Sequence, residues 1–182
     1  MTRLLRNDWL AAGFDVLVSE GAVALTLDTL TRKLNVTKGS FYHHFRNVDD
    51  YQKALLETWE QQYTTRVIEM SETPGDPARV FDRFLTVLAS ELPDIEICFR
   101  SWAFQDERVR SYVQRVDEIR VAQARLWFEK MGHDFAQAEL LARMLYALLI
   151  GCYSSFPPIE GDILKETMTQ FMQIAATYKE KA

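Results

Sequence analysis

The feature that most constrains the fold is a pair of short helical segments joined by a turn. Thr26 is a typical helix N-cap, and the leucines that follow it recur at helical spacing. Asn35, a residue that tolerates left-handed backbone angles, comes next and favours a tight turn. Thr37 can then cap a second helix. This pattern predicts a helix-turn-helix over residues 26–45.

The second segment, "VTKGSFYHHF", has one apolar and one polar face. Phe41 and Phe45 lie four residues apart, so on a helix beginning at Thr37 both are expected to pack against the first segment. The residues turned away carry hydrogen-bond donors or, at the glycine, permit close approach. They are Lys38, Gly39, Ser40, Tyr42 and His43, with His44 at the flank. Such a surface suits the phosphate oxygens and base edges of DNA.

The charge is distributed unevenly along the chain. The net charge of −5 taken alone argues against a nucleic-acid partner. Residues 1–48, however, hold six basic and four acidic residues, a balance of +2, which leaves 15 basic and 22 acidic residues, or −7, for the remainder. This asymmetry indicates a small module that meets an anion and a larger body that does not.

Helix signals continue along the rest of the chain, and no alternating strand pattern is convincing. Asn47, Asp106 and Asp134 are expected N-caps, and Gly132 is an expected stop. The predicted helices after the second segment run from about 48 to 70, 77 to 91, 94 to 104, 107 to 131, 135 to 155 and 162 to 179. A helix before the motif is also predicted, because Leu10, Phe14, Leu17 and Val18 recur at 3.6-residue spacing and Gly21 can close it. The sequence thus predicts an all-α chain of about nine helices.

Other readings of the polar segment are weaker. Taken singly, His43 and His44 are ordinary surface histidines. As metal ligands they point about 100° apart on a helix, and no Cys, Asp or Glu stands at a ligand spacing nearby. Ser40 lies in no G-x-S-x-G elbow. We expect no metal, no cofactor and no enzymatic activity, although a helical enzyme or interaction module with an incidental helix-turn-helix remains the alternative.

The stretch "TLDTLTRKLNVTKGSFYHHFRN" resembles the DNA-binding region of the tetracycline-repressor (TetR) family of bacterial transcription regulators, with similarity over about residues 8–56. The resemblance implies an all-helical homodimer, usually a repressor, released from a palindromic operator by a small molecule. The positions that match DNA contacts of the family are Thr26, Thr37, Lys38, Gly39, Ser40, Tyr42, His43 and His44. Thr31 replaces a frequent alanine. Val48 and two aspartates stand where the family often has a lysine, so Arg46 is the candidate replacement for that phosphate contact.

The domain boundary follows from the motif and the charge change. Residues 1–48 are expected to form the DNA-binding domain, and residues 49–182 a ligand-binding and dimerisation domain. Core packing is the simplest explanation for any one aromatic residue of this body. As a set they fit a pocket for an apolar or aromatic ligand. The predicted ligand residues are Trp59, Tyr63, Phe99, Trp102, Trp127, Tyr146 and Tyr153.

The last two helices are the predicted dimer contact. No charge occurs between Met144 and Tyr153, so this segment is expected to be buried on all sides. The last helix carries a stripe of Met168, Phe171, Met172 and Ala175 that could meet its symmetry mate. We expect no membrane span, because no apolar run reaches about 18 residues, and a cytoplasmic location. Cys98 and Cys152 are expected to be buried reduced thiols, with a redox switch as the alternative.

Overall fold

The computed structural model describes residues 4–65, 69, 81, 83, 85–86 and 93–178 of the chain. Within that part, eight α-helices and no β-strand are present, which confirms the all-α prediction. They are α1 (Arg6–Glu20), α2 (Leu27–Leu34), α3 (Lys38–Tyr42), α4 (Val48–Glu60), α5 (Pro93–Ala103), α6 (Glu107–Lys130), α7 (Phe135–Ser154) and α8 (Gly161–Thr177). The predicted helix at about 77–91 lies mostly outside the described residues.

The chain divides into two compact units, each built from two stretches of sequence. The first unit comprises Met1–Gln62 and Asp94–Val113. The second comprises Tyr63–Pro93 and Gln114–Ala182. Helices α1 to α4, almost all of α5 and the start of α6 belong to the first unit. The rest of α6, together with α7 and α8, belongs to the second.

Helix α1 is the centre of the N-terminal part of the first unit, since it packs against both α2 and α4, while α2 packs against α3. The buried residues of α1 are Trp9, Leu10, Ala12, Gly13, Val16 and Leu17. Leu10 and Leu17 are buried as predicted, whereas Val18 is largely exposed. The buried stripe is centred on Trp9 and Val16, which turns Val18 toward solvent. Gly21, with φ of 80°, ends the helix as predicted.

Gly13 lets α1 and α4 approach closely. Tyr51 of α4 is fully buried, and its hydroxyl donates a hydrogen bond of 2.8 Å to the carbonyl oxygen of Trp9. A methyl group added at Gly13 would overlap this hydroxyl and press on Leu55. Burial raises the pKa of Tyr51, so its hydroxyl stays protonated and remains a donor at ordinary pH. The contact fixes the start of α4 relative to α1.

Helix α4 begins as predicted and changes to a π-helix before residue 70. The side-chain oxygen of Asn47 accepts a hydrogen bond of 2.8 Å from the backbone N–H of Asp50, so Asn47 is the cap. The α-helix runs to Glu60, and Gln61–Thr65 continue it as a π-helical turn, while most of residues 66–70 lie outside the described part of the chain. This turn ends in two β-branched threonines, which crowd the preceding turn of an α-helix.

In the second unit, α7 and α8 pack on each other. Asp134 caps α7 as predicted, because its Oδ1 accepts a hydrogen bond of 2.9 Å from the backbone N–H of Gln137. The buried residues of the two helices are Ala138, Leu141, Ala142, Leu145, Leu149, Cys152 and Tyr153 on α7, and Leu164, Met168 and Ala175 on α8. Phe171 and Met172 are half-buried.

The prediction that residues 144–153 are buried on all sides is wrong for the single chain. Met144 is 48% exposed, and Ala147 and Gly151 are also exposed. Leu140, 49% exposed, lies four residues before Met144 and continues the same face. The absence of charge therefore does not reflect burial within one chain. An uncharged exposed strip of this kind is typical of a surface that another molecule covers.

Helix α7 also has the length and composition to cross a membrane, with a mean hydropathy of 1.4, and it is the one such helix in the described part of the chain. The expectation that no segment reaches this length is thus corrected. The helix carries Glu139 and Arg143, whose side chains pair at 2.6 Å. Because core helices of other proteins pass the same test, length and composition are weak evidence for a membrane span.

Candidate nucleic-acid interface

Local hydrogen bonds shape the first helix of the motif and its turn. The backbone N–H of Thr29 donates to Thr26 Oγ1 over 3.2 Å, which confirms Thr26 as the cap of α2. Asn35 adopts the left-handed conformation expected of it, with φ of 53° and ψ of 49°. The backbone N–H of Val36 then reaches back to the carbonyl oxygen of Thr31 at 3.0 Å. Helix α2 therefore stops at Leu34, and the chain can enter α3 at once.

Helix α3 is shorter than predicted. Thr37 occupies the N-cap position, but its side chain accepts no capping hydrogen bond, so the predicted side-chain cap is wrong. The helix ends at Tyr42, with His43 as its last cap residue. The backbone N–H of Phe45 still donates to the carbonyl oxygen of Phe41 at 3.0 Å. The two histidines thus lie in the turn that closes the helix and not within it.

The buried side of α3 is an aromatic anchor. Phe41 is fully buried and Phe45 nearly so, as their spacing predicts. The ring of Phe41 meets Trp9 at 5.3 Å, Phe45 at 5.2 Å and Tyr51 at 5.6 Å between centroids. Aromatic pairs at these distances add to the stabilisation from area burial. The anchor holds the short helix rigidly although five residues alone could not form a stable helix.

The outer side of α3 presents the predicted polar residues. Lys38, Gly39 and His43 are exposed, and Tyr42 is 57% exposed. Ser40 and His44 are half-buried. Thr26 and Thr37 are exposed as well, at the starts of the two helices. The structure therefore brings the predicted DNA-binding residues of the motif to one module, with hydroxyl, imidazole and ammonium donors at its surface.

The two cations among the predicted DNA contacts, Lys38 and Arg46, pair with acids of the same chain. Lys38 Nζ lies 2.6 Å from Asp28 Oδ1, a bond that raises the pKa of Lys38. Arg46 Nη2 lies 2.8 Å from Asp50 Oδ1, and the backbone N–H of Arg46 donates to Asp50 Oδ2 at 3.0 Å. These hydrogen bonds from Arg46 lower the pKa of Asp50 to about 2. The Asp50 carboxyl is therefore charged near neutral pH.

Arg108, at the start of α6, reaches the first turn of α4 within the first unit. Its Nη1 lies 3.1 Å from Asp49 Oδ1, and its Nη2 lies 3.0 Å from Asp106 Oδ2 and 3.4 Å from Gln52 Oε1. The pKa of Arg108 is raised by its hydrogen bonds to Asp106 and Asp49. Asp106 also caps α6, because its Oδ1 accepts from the backbone N–H of Arg108 at 2.9 Å. The sequence predicted this cap but gave no signal for the contact with α4.

The predicted ligand residues fall into both units. In the first unit, Trp59 stacks on Phe99 at 4.5 Å between ring centroids, and Phe99 lies 6.1 Å from Trp102. Protein atoms cover Trp59 and Phe99 completely. The structure thus brings three of the seven residues together as a packed cluster. The side chain of Tyr63 lies outside the described residues.

The remaining three ligand candidates belong to the second unit. Trp127 meets Phe81 at 5.1 Å between ring centroids, and Tyr153 is buried. Tyr146 is half-buried, and its hydroxyl donates a hydrogen bond of 2.6 Å to Asp117 Oδ1. Arg120 Nη1 in turn donates to the Tyr146 hydroxyl at 3.4 Å. The surroundings of Tyr146 are therefore polar, although the sequence predicts an apolar pocket there.

A cavity of about 500 Å³ lies in the first unit, where α4 and α6 begin and α5 ends. Of the predicted ligand residues, Trp102 lines it. Its other lining residues are Arg46, Asn47, Asp49, Asp50, Gln52, Lys53, Leu56, Asp106, Arg108, Val109, Ser111 and Tyr112. Three acidic and three basic side chains stand among them, so charged groups border this cavity.

The structure gives no support for two other kinds of chemistry. Across residues 4–178, leaving aside the undescribed positions, no three His, Cys, Asp or Glu side chains form a metal-binding group. Cys152 is buried as predicted, whereas Cys98 is half-buried. Burial raises the pKa of both thiols, and Asp94 raises that of Cys98 further. A thiol with a raised pKa is protonated near neutral pH and therefore a weak nucleophile.

The sequence is similar to known DNA-binding regulators over the helix-turn-helix. Residues 10–50 match the family model of bacterial regulatory proteins of the tetR family. The chain is 32% identical to the transcriptional regulator AcuR of Cereibacter sphaeroides over 89 residues, which are 48% of this chain and 40% of AcuR. It is 32% identical to the HTH-type transcriptional repressor NemR of Escherichia coli K12 over 68 residues, 37% of this chain and 34% of NemR. The matched segments thus span less than half of either relative.

Solved structures extend the likeness to the whole fold. The reduced form of E. coli NemR superposes with a TM-score of 0.79 at 20% identity, covering 96% of this chain and 99% of NemR. A TetR transcriptional regulator from Legionella pneumophila gives the same TM-score at 14% identity, covering 95% of this chain and 98% of that regulator. At such low identity these matches show the fold alone. The helix-turn-helix therefore matches the tetR family of bacterial regulatory proteins, and the solved structures share the fold of the chain.

Proposed function

We propose that the chain is a dimeric transcriptional regulator in which residues 1–48 bind a palindromic operator and residues 49–182 bind a ligand and dimerise. The observation that carries this proposal is the geometry of α3. A buried aromatic anchor holds one side of the helix, and the other side exposes Lys38, Tyr42 and His43. A regulator of this kind acts on bacterial DNA in the cytoplasm.

Each proposed DNA contact has a role set by its chemistry. Lys38 and Arg46 are cations for phosphates. The hydroxyls of Tyr42 and Ser40 and the imidazole of His43 can donate to phosphates or base edges. Gly39 leaves room for the duplex. Supporting contacts to the backbone are assigned to Thr26, Thr37 and His44.

Dimerisation is needed because one helix reads only half of a palindromic site. Two recognition helices must lie about one DNA turn apart, roughly 34–36 Å. We assign the dimer contact to α7 and α8, since α7 exposes Leu140 and Met144 and α8 exposes Ile163 and Ile174. Ile163 and Ile174 are eleven residues apart, which puts them on the same side of the helix. The exposed strips of the two helices can therefore meet their symmetry mates.

The regulator is proposed to repress transcription until a small, largely apolar or aromatic ligand binds. Repression is proposed because the relative NemR is a repressor. The ligand contacts are assigned to the predicted residues Trp59, Tyr63, Phe99, Trp102, Trp127, Tyr146 and Tyr153. Binding can be followed by tryptophan emission, because three of these residues are tryptophans. A true effector should change the emission and release DNA over the same concentration range.

A binding assay with the DNA upstream of the chain's own gene tests the proposal. Fluorescence anisotropy of that fragment should give a Kd at least about 10³-fold lower than that of a shuffled fragment at the same salt concentration. The shuffled fragment controls for the general attraction of basic residues to phosphate. Equal affinity for the two fragments would argue against an operator in that DNA, and no binding to either would contradict a DNA-binding role.

A further inference from the structure

Two of the proposed phosphate contacts already hold a carboxylate in the free chain. Lys38 bonds Asp28 at 2.6 Å, and Arg46 bonds Asp50 at 2.8 Å. Both cations are on the surface, with the Lys38 side chain 61% exposed and that of Arg46 85% exposed. The carboxylates therefore stand where DNA phosphates would have to reach.

Carboxylate and phosphate oxygens compete for the same donors. Both are anionic acceptors that form short, charge-assisted hydrogen bonds with ammonium and guanidinium groups. A phosphate that approaches Lys38 must displace Asp28 or share the ammonium group with it. The displaced carboxylate stays close to the DNA backbone and repels it. The two acids thus oppose binding in two ways, by occupying the cation and by adding negative charge beside it.

We propose that Asp28 and Asp50 are counter-charges that lower the affinity of the helix-turn-helix for DNA of any sequence. The inference rests on the proposed function, since it concerns the same interface. Phosphate contacts carry no sequence information, so both carboxylates should weaken binding to operator and unrelated DNA by the same factor. The counter-charges would therefore limit the time that the protein spends on non-specific DNA without altering which sequence it prefers.

If Asp28 instead positions Lys38 for DNA, its removal should have the opposite effect on affinity. The bond between Asp28 and Lys38 joins α2 to α3, so it could instead hold the ammonium group in the position that DNA needs. In that case removal of the carboxylate would weaken DNA binding. The sign of the change in Kd after Asp28→Asn therefore decides between a counter-charge and a positioning residue.

The test compares Asp28→Asn with the parent protein on the upstream fragment and on shuffled DNA at several salt concentrations. Asp28→Asn should bind both about two- to five-fold more tightly, the range that corresponds to an exposed ion pair. The plot of log K against log salt should become steeper by up to about one unit. Asp50→Asn should act in the same direction, since an asparagine oxygen can still accept the backbone N–H of Arg46.

Asp15→Asn is the matched control. It makes the same change of charge and frees Lys33, which pairs with Asp15 at 3.4 Å and is not among the proposed contacts. Its Kd should stay within about 1.5-fold of the parent's because neither Asp15 nor Lys33 is a proposed DNA contact. Melting temperatures identify any variant that is misfolded. Equal or weaker binding by folded Asp28→Asn overturns the inference, whereas a parent that binds no DNA overturns the proposed function as well.

Discussion

The helix-turn-helix of α2 and α3 and the α7–α8 pair both have one buried and one exposed side, but their exposed sides differ. The outer side of α3 carries Lys38, Tyr42 and His43, whose groups suit a polyanion. The outer side of α7 and α8 carries Met144 and Ile174, which have no polar group to satisfy. The polar groups of the first surface suit the chemistry of its proposed partner, whereas the apolar side chains of the second are typical of covered surfaces and do not identify what would cover them.

The two surfaces also differ in whether short-range or long-range contacts determine their structure. The α2–α3 turn is fixed by hydrogen bonds that span a few residues, such as those at Thr26 and Asn35. The exposed strip of α7 depends on which residues α8 happens to cover. The sequence can therefore predict which residues of α2 and α3 face outward, whereas the exposed residues of α7 and α8 follow only from the packed structure.

The largest effect is expected where the apolar surface receives a charge. Ile174→Glu should raise the dissociation constant of the dimer at least about 100-fold, because an unpaired ion buried in an interface costs several kcal/mol. Since Ile174 is 67% exposed in the single chain, the monomer should fold normally. Analytical ultracentrifugation measures the dimer constant, and tight binding to the operator should be lost with it.

Thr169→Glu serves as the control for this substitution. Thr169 is exposed on α8, but five residues from Ile174 it points about 140° away from it. The control should remain dimeric. If Ile174→Glu dimerises as well as the parent does, the apolar strip is not the dimer interface.

A smaller effect is expected in the anchor beneath the polar surface. Gly13→Ala should lower the free energy of unfolding by about 1–3 kcal/mol, since the added methyl group collides with the Tyr51 hydroxyl and Leu55. Chemical denaturation followed by far-UV circular dichroism measures this change. Gly39→Ala is the control, because its added methyl group meets only the Thr37 hydroxyl at an ordinary distance of 3.7 Å. Equal stability of both variants would mean that α1 and α4 do not need their close approach.

The fold of the first module was largely predictable because its signals are short-range. The caps Thr26 and Asn47 and the left-handed Asn35 each involve interactions within a few residues. The end of α3 was not predicted. The chain must bring Phe45 into the core and reach the cap at Asn47 within two residues, and this requirement stops the helix at Tyr42.

Contacts between distant parts of the sequence were missed altogether. The Tyr51 hydroxyl bonds the Trp9 carbonyl across 42 residues, and Arg108 bonds Asp49 across 59. No spacing rule reports such pairs. The burial of Glu96 was also unforeseen, although its 2.8 Å ion pair with Arg100 follows the familiar spacing of four residues on a helix. The spacing of residues can predict an ion pair on the same helix, but it does not predict which face of the helix other elements bury.

The smallest effect concerns the acid beside the polar surface. The Asp50 carboxyl has a pKa of about 2, below its ordinary value of 3.8, because Arg46 donates hydrogen bonds to it. A lowered pKa stabilises the fold above the unfolded-state value and loses that contribution as the pH falls through about 2. Asp50→Asn should therefore be less stable than the parent at pH 7, with a difference that shrinks below pH 4.

Carbon NMR of the Asp50 carboxyl measures the titration directly. Arg46→Gln is the control, since it removes the guanidinium and should return the pKa of Asp50 toward its ordinary value. A midpoint near the ordinary value in the parent protein would show that the pair with Arg46 does not persist in solution. It would also remove Asp50 as a competitor for phosphate.

The most direct test of the DNA-binding surface is the salt dependence of operator binding by Lys38→Ala. Loss of one phosphate contact should weaken binding to all sequences and make the slope of log K against log salt shallower by about one unit. Lys53→Ala is the matched control, because Lys53 is an exposed lysine of the same unit that pairs with Glu57 and lies outside the proposed contacts. We expect an altered slope for Lys38→Ala alone. The same slope and Kd in Lys38→Ala and the parent would contradict the assignment of the α3 surface to DNA.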